Sequence, residues 1–159
     1  MKSMVIVAGL IAVPAVVSHG QERNGGRTQA ADPRLLRLQQ FFAARDCPLL
    51  EVAADFLAAA DHNALDWRLL PSISIIESSG GKDCRNNNVF GWDTPLQNFA
   101  SVREGIHYVA AQLARSDLYK NKSLDGKLRT YNPNPAYPHK VKAVMRALGP
   151  SDARLDTLD

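Results

Sequence analysis

Cysteine is scarce in this chain of 159 residues. The only two, Cys47 and Cys84, lack C-x-x-C spacing, which argues against structural zinc. His62, His107 and His139 are scattered and complete no cysteine-enzyme signature, so a nucleophilic thiol lacks a partner. No cluster of metal-ligand residues is present in the sequence, and no cofactor is expected. Charge of one sign is also scarce: the formal net charge is +3, too weak to indicate a nucleic-acid partner. After residue 17 no apolar run is long enough to span a bilayer. Glycine and proline, at 10 and 9 residues, are too few for a collagenous or low-complexity chain. What is there is ordinary globular usage, 45% hydrophobic and 22% charged, in a length suited to one hydrophobic core.

The first residues read Met1-Lys2-Ser3, then run without charge from Met4 to Val17, and end in Ser18-His19-Gly20 with small residues at the −3 and −1 positions of a cleavage. This pattern predicts a secretory signal peptide over 1–20. The competing reading, an uncleaved anchor, is disfavoured because the run is shorter than the roughly 20 residues a bilayer requires. The polar, glycine-bearing stretch 21–31 is expected to be a disordered linker, 32–149 the folded domain and 150–159 a flexible tail. Export, periplasmic or extracellular, places the chain where thiols oxidise, so a disulfide between Cys47 and Cys84 is expected.

Helical periodicity dominates from Asp32 onward. Asp32-Pro33 is an N-cap followed by proline at the first helical position, and Leu35, Leu38 and Phe42 share a face of a helix reaching about residue 45. Pro48 opens a second helix, with Leu49, Val52, Phe56 and Leu57 as its stripe, ending at Asn63. Asp66 can cap a third through Glu77, whose Leu69, Leu70, Ile73 and Ile76 leave almost no polar face; Pro71 delays or kinks it. Ser101-Val102-Arg103-Glu104 is a capping box, opening a helix with Val102, Ile106, Val109 and Leu113 inside. Ser123 caps a short helix through Leu128, and a last one carries Val141, Met145 and Leu148 up to Gly149-Pro150. The turn-rich run after Glu77 predicts an irregular or short-stranded lobe extending to Asn98.

Glu77 stands where an apolar helix meets a glycine-rich loop. Partial burial and the negative end of the helix dipole both disfavour its anion, the direction a general acid needs. The structural alternative is a terminal Glu that reaches solvent or pairs with Lys82 or Arg85. Its neighbours weigh on the choice. Glu77-Ser78-Ser79-Gly80-Gly81-Lys82, Asn87-Asn88-Val89-Phe90-Gly91-Trp92, Phe99 to Ile106, and Tyr131 with Tyr137-Pro138-His139-Lys140-Val141 follow one another along the chain. In that order they resemble the N-acetylglucosaminidase domain of glycoside hydrolase family 73, in the lysozyme-like superfamily. The likeness covers about residues 49 to 148. It implies a mainly α, lysozyme-like fold, activity on bacterial peptidoglycan, Glu77 as catalytic acid and Tyr131 as a tyrosine of the cleft.

Glycoside cleavage usually uses a second carboxylate, as base or nucleophile. Asp83 is the preferred candidate over Asp93, which also suits a turn before Thr94-Pro95, while Glu104 belongs to its capping box. The substrate's acetamido group can replace either. Asn87, Asn88, Phe90, Trp92 and Tyr137 are candidates to line a sugar subsite; the asparagines read equally as turn formers and Phe90 as core. Tyr131 has its own structural reading as a core-edge tyrosine bonded to backbone. Between Arg115 and Arg146 eight basic residues face only Asp117 and Asp125, by default a solvated face, and one that favours an anionic polymer if it borders the cleft. The expected function is thus an exported, monomeric hydrolase cutting glycan strands after N-acetylglucosamine. Its alternatives are a lytic transglycosylase using the same Glu77 and an inactive wall-binding protein.

Overall fold

The computed structural model describes residues 32–93 and 97–152. The expected signal peptide, the linker and most of the tail lie outside the described residues. Six α-helices run in the order α1 Pro33–Ala43, α2 Ala53–His62, α3 Leu69–Ser78, α4 Val102–Arg115, α5 Leu124–Tyr131 and α6 Tyr137–Leu148. The fold is mainly α, as expected. None of the described helices is long and apolar enough to cross a membrane.

The helix starts follow local chemistry. Asp32 caps α1 by accepting from the Arg34 amide at 2.9 Å, and Ser123 caps α5 by accepting from the Gly126 amide at 3.2 Å. The capping box forms at α4, where Ser101 Oγ accepts from the Glu104 amide at 3.1 Å, but the Glu104 carboxylate reaches back to the amide of Ala100, not that of Ser101. Two boundaries differ from expectation. The stretch opened by Pro48 is divided into a 3-10 turn, Pro48–Val52, and then α2. The third helix starts at Leu69 instead of Asp66, because the Asp66 side chain accepts from the Arg68 amide at 3.0 Å and its carbonyl from the Leu69 amide at 2.9 Å, a turn before the helix proper. Pro71 then occupies the third helical position, among amides that have no intrahelical partner, so it costs no hydrogen bond.

Around α3 the other elements close. It packs on α6 and α2, α2 packs on α4, and α1 covers α2 and the 3-10 turn. Leu70, Ile73, Phe42, Phe56, Phe90, Ile106, Val109 and Val141 are fully buried between them. This buried framework fixes the C-terminal end of α3, and therefore Glu77.

Among the described residues the segment after α3 contains no strand, which corrects the short-stranded half of the expectation. The reason is conformational: Ser79, Gly80, Gly81, Asn86, Asn87, Gly91 and Asp93 all have positive φ, and left-handed residues at that density prevent extended pairing. Side chains hold the lobe instead. Ser78 Oγ lies 2.8 Å from the Val89 carbonyl and 3.0 Å from that of Ser74, and accepts from the Gly81 amide at 3.0 Å, pinning lobe to helix. At Gly80 (φ 71°) a β-carbon would lie 2.4 Å from Cys47 Sγ, so the loop passes closer to Cys47 than any side chain permits.

The expected Cys47–Cys84 disulfide is not formed; both are free thiols. Cys47 Sγ lies under Gly80, near the carbonyls of Arg45 and Ser79, whereas Cys84 Sγ turns to the carbonyl of Arg85. Burial pushes both thiols above their ordinary pKa, which favours the uncharged, unreactive form.

Candidate active site

Two adjoining hollows meet at Gly91. One is lined by Glu77, Ser78, Asp83, Arg85, Asn88 and Gly91 and has a volume of about 170 Å³. The other, about 230 Å³, is lined by Gly91, Trp92, Asp93, Leu118, Tyr119 and Tyr131. Gly91 is the shared wall because its backbone turns at φ 56°. The bracket that holds the turn is Asn88, whose side chain accepts from the Trp92 amide at 2.9 Å and donates to the Trp92 carbonyl at 3.1 Å. A β-carbon on Gly91 would stand 3.5 Å from Glu77 Oε2, so this face of the carboxylate looks onto the wall between the hollows.

Glu77 is half-buried on the last turn of α3. Its Oε1 is buried and completes no hydrogen bond with a described protein group, and the same holds for the phenol oxygen of Tyr137, which is 3% exposed. The two groups nevertheless act on each other. Burial first, and then the Glu77 carboxylate by hydrogen bonding and charge, raise the Tyr137 phenol well above the usual tyrosine range. They are therefore near neighbours whose pairing falls short of standard hydrogen-bond geometry. Tyr131 is held well above its usual pKa by burial, with the charge of Glu77 and the neighbouring Tyr119 adding to it. Its hydroxyl donates to the Phe90 carbonyl, and its ring stacks on Tyr137 at 5.9 Å with planes 6° apart. A protonated tyrosine pair thus flanks the carboxylate.

The other expected residues divide. Asp83 is exposed, lines the hollow of Glu77, and accepts from Ser79 Oγ at 2.7 Å. Trp92 lines the second hollow, with its ring 5.6 Å from Tyr131 and 5.8 Å from Tyr119. Phe90 is fully buried against Phe56 and belongs to the core, not to a sugar subsite. Asn87 is exposed and donates to the Phe99 carbonyl at 2.8 Å, a loop-holding bond, while Tyr137 lies inside, behind Tyr131.

Leu118, Tyr119 and Arg85 line the hollows without having been expected there. Leu118 and Tyr119 follow α4 in a segment whose place is set by a half-buried cation: Lys127 Nζ donates to the carbonyls of Leu113 and Tyr119. Burial lowers the pKa of Lys127. No periodic or motif signal marks such a loop. Lys127 also leaves the expected basic face, and Lys120 and Lys142 are paired with Asp117 and Asp125. Among the described residues no group of three or more potential metal ligands occurs. No protein-family model matches the chain, and comparison with curated proteins gives no significant match.

Proposed function

We propose that this chain is an exported peptidoglycan hydrolase of the lysozyme-like kind, cleaving the glycan strand after N-acetylglucosamine with Glu77 as general acid. The observation that carries the reading is the Glu77 carboxylate itself: fixed at the end of a buried helix, partly desolvated, with Oε1 turned inward and Oε2 on the side of Gly91, the wall of the hollow it lines. A carboxyl group that protonates a leaving glycosidic oxygen needs this combination of fixed position, partial desolvation and a place on the wall of a hollow. Asp83, on the same hollow, is the carboxylate available to activate water or meet the anomeric carbon. Trp92 and Tyr131 offer the adjoining hollow an aromatic surface suited to a pyranose ring.

A second reading, a lytic transglycosylase, is favoured by the exposure of Asp83 and its engagement with Ser79, which leave Glu77 as the only partly buried carboxylate of its hollow. In that case Glu77 is acid and base in turn, and the muramyl 6-hydroxyl replaces water. Digestion of purified peptidoglycan, with products identified by mass spectrometry, separates the readings: a reducing N-acetylglucosamine end supports hydrolysis, and a 1,6-anhydromuramyl end supports the alternative. Glu77→Gln keeps the shape and removes the transferable proton, so the rate is expected to fall by about two to four orders of magnitude with helical content unchanged. Near-normal turnover by that variant sinks the assignment of Glu77 as the acid, whereas a wild type without turnover that still binds the wall leaves a wall-binding protein.

A further inference from the structure

The hollow of Glu77 and Asp83 carries one cation on its wall. Arg85 is exposed there, and among the described residues its guanidinium makes no ion pair, although two carboxylates line the same hollow. Asp83 accepts instead from Ser79, and Glu77 adjoins Tyr137. Arg34, Arg68, Arg103, Lys120 and Lys142, by contrast, each have an aspartate partner. The backbone around Arg85 is independent of its side chain, since its carbonyl accepts from the Asn88 amide at 2.9 Å and so closes the turn that leads to Gly91. A planar, permanently charged fork at the lip of a hollow is a receptor for a carboxylate.

We propose that Arg85 is a specificity-determining residue that pairs with a carboxylate carried by the substrate beside the scissile bond, so that the site prefers an anionic muramyl glycan to a neutral N-acetylglucosamine polymer. This rests on the hydrolase reading and names the substrate class for it. The carboxylate has two sources of the same chemistry, the lactyl group of a muramic acid stripped of peptide and the acidic residues of an attached stem peptide. A neutral chitin oligomer has neither.

The test compares kcat/KM on three substrates: intact peptidoglycan, amidase-stripped glycan strands, and chitin oligomers of matched length. The wild type is expected to favour at least one anionic substrate, and in Arg85→Ala the ratio of that substrate to chitin is expected to fall about tenfold. Arg85→Lys, which keeps the charge without the fork, is expected to recover only part of it, and high salt to narrow the wild-type ratio. Dependence on stripped strands assigns the lactyl carboxylate, and dependence on intact wall alone assigns the peptide. Ratios unchanged in Arg85→Ala on both anionic substrates overturn the proposal while leaving the hydrolase intact. A wild type that cleaves none of the three overturns the hydrolase reading, and this one with it. A thermal melt of Arg85→Ala matching wild type shows that the folded site is being measured.

Discussion

Tyr137 places a hydroxyl in the interior beside a carboxylate, and neither of the facing oxygens closes a standard bond with a protein group. A buried polar atom left in that state costs stability, about 1–3 kcal/mol, and is retained where it serves another end. Burial and Glu77 keep the phenol proton in place, so Tyr137 holds a donor next to Glu77. Tyr137→Phe is therefore expected to change stability by no more than about 1 kcal/mol in urea unfolding, and to lower kcat on peptidoglycan several-fold. A variant that loses stability and keeps full activity shows the hydroxyl to be structural. Tyr137 is visible in the sequence only as a motif tyrosine, with a place on the sugar expected for it. That it lies behind Tyr131 depends on how α5 and α6 pack, which no local pattern states.

At the scale of elements, α2 ends in a reciprocal pair of bonds. The Leu65 amide donates to the Ala60 carbonyl at 2.9 Å and the Ala64 amide to that of Asp61 at 3.2 Å, with Ala64 left-handed at φ 51°. This is a Schellman ending built on alanine where glycine fits without a β-carbon penalty. Left-handed strain of roughly 1–2 kcal/mol, less the entropy glycine adds to the unfolded chain, leaves about 0.5–1 kcal/mol of expected stabilisation for Ala64→Gly, readable as a higher urea midpoint at unchanged slope. A lower midpoint refutes the strain argument. Other helix ends show why helices are more legible than the lobe. Asp32-Pro33, the Ser101 box and Ser123 announce their helices because capping is chemistry among residues a few positions apart. The lobe is held by Ser78 to Val89, Asn87 to Phe99 and Gly80 against Cys47, contacts spanning 11, 12 and more residues. Asparagine- and glycine-rich composition announces turns there without saying which turn faces Glu77.

Over the whole molecule, carboxylates with lowered pKa values sit at the joints between elements. Arg34 holds Asp32 low and also binds Asp61 at 2.7 Å, joining α1 to α2. Lys142 holds Asp125 low, joining α5 to α6. At Asp66 burial opposes the charge, but the side chain and amide of Arg68 outweigh it and the pKa is lowered. Arg68 extends that joint across the fold, donating to the Gly149 carbonyl at 2.8 Å, while Trp67 Nε1 donates to that of Ser151 at 3.2 Å. The end of α6 is thereby fastened to the start of α3, two elements far apart in the chain that carry Tyr137 and Glu77. An acid whose folded pKa lies below its unfolded value adds stability above the unfolded value, about 3.9 for Asp, and loses it as pH falls through the folded one. Stability is therefore expected to be level near neutrality and to drop below about pH 4, where all three aspartates take up protons. Arg68→Ala, which removes the Asp66 partner and the bond to Gly149, is expected to cost about 1–2 kcal/mol at pH 7 after allowance for solvent at a partly exposed pair. It is also expected to flatten the acid drop, because without the Arg68 side chain the folded-state pKa of Asp66 is no longer held as far below its unfolded value. Urea midpoints measured for wild type and Arg68→Ala at pH 7 and at pH 3 decide the matter: equal losses on acidification in both proteins mean that the Asp66–Arg68 joint carries none of the acid sensitivity.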